Sequence, residues 1–102
     1  MAKQPVIYYV VTLERGENWN ARRPMREQEY WDEHARLMDA LVDDGFIVLG
    51  GPLDDEEKAL LIIEAESKPA IEARFADDPW IAKGVRRIAN VEHWEILLGA
   101  NQ

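Results

Sequence analysis

The chain of 102 residues contains no cysteine, two histidines and a single serine. Disulfides, thiol nucleophiles and cysteine-based zinc sites are therefore excluded. Ser67 reads as a helix cap, which leaves no serine for a nucleophilic triad. His34 and His93 share no H-x-x-x-H or H-E-x-x-H spacing, so a catalytic metal is not expected. Positive charge is also scarce. Twelve basic residues face twenty acidic ones, for a formal net charge of -8, which argues against nucleic acid or an anionic membrane as partner. No apolar run approaches the ~20 residues of a membrane span. The opening MAKQPVIYYVV lacks the h-region and small-residue cleavage site of a signal peptide, so a cytoplasmic location is expected.

Hydrophobic residues make up 47% of the chain, enough for the core of one domain spanning 1–102, with its organised part at about 5–98. Residues 5–13, PVIYYVVTL, read as a strand apolar on both faces. Residues 14–24 are polar and read as a long loop. The helical pattern then runs from Met25 to Asp44, with Tyr30, His34, Leu37, Met38 and Leu41 on one face and Gly45 as the stop. FIVLGGP (46–52) and ALLIIEAE (59–66) read as strands joined by the acidic turn 53–57. Ser67 opens a second helix, KPAIEARFA, with Pro69 in its first turn. DDPWIAKG (77–84) breaks that helix, and 85–98 reads as the last strand.

The order β-α-β-β-α-β with right-handed crossovers predicts a four-stranded antiparallel sheet with both helices on one face. That is the ferredoxin-like α+β arrangement. Strands one and three are apolar on both faces, so the uncovered face predicts a homodimer with sheets packed together.

Histidine titrates nearest neutral pH, which makes His34 and His93 the first candidates for proton transfer. Packing alone would explain either one. In this fold, a residue on the first helix can approach the end of the second. A His–Asp pair across that gap would hold one imidazole tautomer, the orienting logic of acid–base sites. Asp77 and Asp78 are the acids in place and read as standing at the negative end of a helix; polarity of an Asp-Pro turn also explains them. Arg22, Arg23 and Arg26 are the one local basic cluster and are candidates to attract an anionic substrate. Trp19 and Trp80, both read as loop residues, are candidate pocket walls, although core packing explains tryptophans equally well.

The spacing of His34, Gly45, Gly51 and Pro52 resembles the YCII-related domain family. So do the segment FADDPWIAKGV (75–85), the junction EAES (64–67) and the closing VEHW (91–94). The resemblance covers about residues 5–98. It implies a ferredoxin-like protomer of the dimeric α/β barrel superfamily, with a paired histidine and aspartate lining a cleft, here His34 and Asp78. Two features depart from the family pattern. Arg23-Pro24 lies well upstream of the histidine rather than just before it, and Lys58-Ala59 stands where many members have Gly-Ser. Some relatives look like lyases acting on small metabolites without a cofactor. Two functions follow as expectations. One is a cofactor-independent lyase or isomerase using His34 and Asp78 on a small anionic metabolite. The other is a non-catalytic small-molecule-binding or structural homodimer.

Overall fold

The computed structural model describes residues 7–99. Four strands, β1 (Tyr8–Arg15), β2 (Ile47–Pro52), β3 (Lys58–Glu64) and β4 (Arg86–Trp94), form one sheet in the order β2-β3-β1-β4 with every neighbouring pair antiparallel. Three helices, α1 (Trp31–Asp43), α2 (Lys68–Phe75) and the single turn α3 (Pro79–Ala82), complete the ferredoxin-like α+β fold. Pro5 and Val6, expected to open the first strand, lie outside the described residues.

Alternation along β1 decides what faces the helices. Tyr9, Val11 and Leu13 are buried, while the residues between them are half-buried. They pack with Leu41 of α1, Ile71 and Phe75 of α2, and Ile47, Leu61 and Ile63 of the neighbouring strands. A second, smaller cluster of Met25, Trp80 and Val85, flanked by Trp19 and Trp31, closes one end.

The first helix is shorter than its apolar period suggests. Met25–Glu27 forms a separate 3₁₀ turn, and Tyr30 adopts a left-handed backbone (φ 65°) that α1 cannot include. The buried Gln28 amide explains the interruption. It accepts from Asn20 N–H and donates to the Asn20 and Arg23 carbonyls, tying down the loop before the helix begins. Gly45 ends α1 at φ 81°, where glycine carries no Cβ penalty. Ser67 caps α2 by accepting from Ala70 N–H, a contact worth about 1 kcal/mol.

Two bulges set the sheet's facing. Val48 is the extra residue between the Ile47 and Leu49 pairings with β3, and Ala89 the extra residue between the Ile88 and Asn90 pairings with β1. A bulge shifts the side-chain alternation by one residue. Below Ala89, Arg86 pairs with Arg15 and faces inward, whereas Arg87 pairs with Glu14 and bonds its carboxylate on the outer face.

Gly16 ties the end of β1 to the turn before β4. Its N–H donates to the Val85 carbonyl, Asn18 N–H donates to the Gly84 carbonyl, and a Cβ at Gly16 would sit 2.1 Å from the Gly84 oxygen. Gly16→Ala is therefore expected to lower stability by about 1–3 kcal/mol through overpacking. Urea denaturation checks this; an unchanged midpoint would show that the two turns separate freely.

Candidate functional site

Asp78 sits in the joint between α2 and α3. Its N–H donates to the Phe75 carbonyl, and its side chain caps α3 by accepting from Trp80 N–H at 2.9 Å. This corrects the expectation of a repulsive helix end. DDPWIAKG does not simply break the second helix: Asp78-Pro79 starts another helical turn, and an aspartate is favoured at its beginning.

The same carboxylate faces His34, one turn into α1. His34 Nδ1 lies 3.0 and 2.9 Å from the two Asp78 oxygens. Asp78 is fully buried, and His34 is 8% exposed. A carboxylate accepts only, so in the neutral ring Nδ1 must carry the hydrogen, and Nε2 is left as the unprotonated nitrogen. Trp80 holds the ring from the side, stacked on it at 3.8 Å between centroids and 11° between planes. The indole is anchored in turn by donating from Nε1 to the Glu29 carbonyl at 2.7 Å. Backbone, carboxylate and stacked ring together leave the imidazole one orientation.

His34 and Trp80 line a cavity of about 290 Å³ between α1 and the inner face of the sheet. Its walls are largely apolar, with Met25, Trp31, Met38, Ile47 and Leu61 among them, and Gly50 of β2 contributes an inward position without a side chain. The volume is near the lower end for ligand pockets. A second depression, about 710 Å³ and mostly polar, includes Arg23 but neither His34 nor Asp78.

The expected arginine cluster is only partly assembled. Arg26 lies at the cavity, exposed, with its guanidinium 5.9 Å from the Trp31 ring. Arg23 pairs at 4.0 Å with Glu27 instead, and the exposed Arg22 is not among the cavity residues. Trp80 is a cavity wall on a helix rather than a loop. Trp19 packs edge-on behind it and does not line the cavity. His93 is exposed, beside Tyr9.

Arg86 went unrecognised in the sequence. It lines the cavity at 1% exposure, and burial, reinforced by the nearby Arg15 charge, pushes its pKa down against an opposing pull from Glu56. VRRIANV contains two adjacent arginines, and alternation alone cannot say which one faces inward. Among the described residues no group of three or more histidine, aspartate or glutamate side chains could hold a metal ion. No helix there is long and apolar enough to cross a membrane.

The site is thus a buried His–Asp pair beside a small, largely apolar cavity on a ferredoxin-like sheet. The chain belongs to the YCII-related domain family, whose model matches residues 7–95. It is similar in fold to the 5-chloro-2-hydroxyhydroquinone dehydrochlorinase of Burkholderia phenoliruptrix, solved in complex with 2,5-dihydroxybenzoquinone. That likeness has a TM-score of 0.52 and 23% identity, and covers 89% of this chain and 95% of that one. No protein of curated function matches the chain.

Burial changes what substitution of His34 reports. His34→Ala would leave Asp78 buried without its partner, at about 3 kcal/mol or more. Asp78→Asn, which keeps an oxygen for the Trp80 N–H, is the milder probe. In ¹⁵N NMR the neutral wild-type His34 should be the Nδ1–H tautomer, and Asp78→Asn should lose that bias. An unchanged tautomer ratio would show that Asp78 does not orient the ring.

Proposed function

We propose that the protein is a cofactor-independent acid–base enzyme of lyase or isomerase type acting on a small anionic metabolite. The observation that carries this reading is the 2.9 Å contact between His34 Nδ1 and Asp78 in a histidine that lines the cavity. Nε2 takes a proton from a carbon acid, and the C–H electron pair becomes the new π bond. In an elimination those electrons expel a leaving group, which can receive the proton back from the imidazolium. In an isomerisation the proton returns to another carbon. Asp78 stays ionised, holds the tautomer and faces the imidazolium as it forms. The name of the dehydrochlorinase that shares the fold is consistent with lyase-type chemistry. Proton transfer by one placed group contributes about 10²–10⁴-fold in rate, so the substrate must already be activated, as a carbonyl compound or quinone-like ring would be.

We assign Arg26 and Trp80 to substrate contact and leave Arg22 and Arg23 out of the cavity. The alternative reading is a protein that only holds a small molecule, with His34 Nε2 as a fixed hydrogen-bond acceptor for it. A small-molecule thermal-shift screen followed by turnover assays of the hits separates the two. His34→Gln and Asp78→Asn should each lower kcat by at least 10²-fold on a turned-over hit while the hit still binds. Turnover that survives His34→Gln would end the acid–base reading.

We further propose a cytoplasmic homodimer. Composition alone supports the compartment. The dimer rests on the sheet face opposite the helices, where Val10, Leu60 and Ile62 meet the exposed Leu49 (68%) and Trp94 (40%). An apolar sheet face of this kind marks an interaction surface. Light scattering after size exclusion at low micromolar concentration should give a dimer, and Leu49→Asp combined with Trp94→Glu, both at exposed positions, should give a folded monomer. A monomeric wild type would remove the argument from this face.

A further inference from the structure

A guanidinium is costly to bury unless its charge and its N–H groups are satisfied. Arg86 is 99% buried at the cavity and only partly satisfied. Nη1 donates to the Glu57 carbonyl at 2.9 Å, and Nη2 makes a long contact of 3.9 Å with the Met25 sulfur. Its face rests 4.4 Å from the centre of the Trp19 ring. Arg86 forms no ion pair with a carboxylate among the described residues. The acid that acts on it, Glu56, already accepts from Met25 N–H at 2.9 Å. Arg15 brings a second positive charge, also against Trp19, at 4.9 Å. Arg86 therefore brings to the cavity a positive charge that no carboxylate among the described residues pairs, with guanidinium N–H groups beyond the two contacts it makes. Arg15 adds positive charge behind it without lining the cavity. Holding one backbone carbonyl does not require a buried cation.

The remaining lining narrows what that charge would meet. Trp31 and Trp80 offer flat walls and Met25 and Met38 adaptable ones. About 290 Å³ accommodates one substituted ring. At the mouth the exposed Arg26 is accompanied by the exposed Asp39, so the cation shielded from water is Arg86.

We propose that Arg86 anchors the substrate of this cavity, and that the substrate class is a single planar ring bearing an oxyanion, whether carboxylate, phenolate or enolate. The assignment deepens the acid–base reading above, on which the word substrate rests. Guanidinium N–H groups bind the oxyanion while the ring lies against the tryptophans and presents a carbon to His34 Nε2. The same donors stabilise negative charge that develops on that oxygen as His34 removes a proton.

Benzoate and its neutral counterpart benzamide test the anchor directly, without a known substrate. Benzoate should shift the Arg86 Nε–H and Trp80 indole signals in ¹H–¹⁵N spectra of the intact protein. It should bind at least tenfold more tightly than benzamide and at least tenfold more weakly to Arg86→Gln. Arg86→Lys, which keeps the charge, should recover part of the loss and identifies the Arg86 signal. Should Arg86→Gln not fold, the wild-type preference for benzoate and the Nε–H shift decide the question. No benzoate binding at millimolar concentration, equal binding of benzamide, or binding lost in His34→Gln but kept in Arg86→Gln would overturn the anchor. Arg86-dependent binding in a protein that turns nothing over would support the anchor and refute the catalytic reading.

Discussion

One carboxylate holds the site together. Asp78 accepts the backbone N–H that starts α3 and faces the ring nitrogen of α1 with both oxygens. It is fully buried, so neither contact competes with water. Each makes the other more specific: capping fixes the carboxylate's rotamer, and a fixed carboxylate gives the imidazole one orientation. Trp80 follows from the same turn. Two residues beyond the cap, its indole lies over the histidine and donates back to the Glu29 carbonyl just before α1. A short polar turn thus joins two helices and fixes the orientation of an imidazole that lines a cavity.

Opposite forces shape the other side of that cavity. β4 must bury Ile88 and Val91 on the same face, although they are an odd number of residues apart. The bulge at Ala89 makes this possible, and it carries Arg86 inward while leaving Arg87 to Glu14. Hydrophobic packing therefore places a cation where desolvation penalises it. Trp19, the Glu57 carbonyl and the more distant Glu56 offset only part of that cost. The cavity consequently combines an oriented imidazole with an under-satisfied positive charge, among apolar walls.

The shallow side of the sheet follows a different logic. The helices cover one face only, and the β-branched and aliphatic residues of β1 and β3 continue onto the other. The same apolar runs that secure the core thus leave a surface suited to a second apolar surface. The His–Asp cavity lies on the helix side, so the chemistry proposed for it and the association proposed for the outer face use different residues of the same strands.

Periodicity and capping were enough to read the four strands and the two longer helices, because each depends on neighbours within a few residues; the antiparallel topology followed from their order and the right-handed crossover rule. The Ser67 cap and the Gly45 stop are local in the same way. The His34–Asp78 pairing was legible once topology set the helices side by side and a family resemblance indicated the positions. Other features lay beyond reach for identifiable reasons. A left-handed Tyr30 and a Gln28 amide bonded across the loop shorten α1, and neither leaves a periodic trace. Asp78 reads as the end of one helix until the chain turns and begins another. The proximity of Arg22, Arg23 and Arg26 in sequence suggested one basic patch, yet the loop sends them to different surroundings. Arg86 is the clearest case. Alternation in VRRIANV is compatible with either arginine facing inward, and the choice belongs to a bulge imposed by pairing with β1. Local pattern governs elements and caps; side-chain meetings across the sheet depend on register, which no segment carries alone.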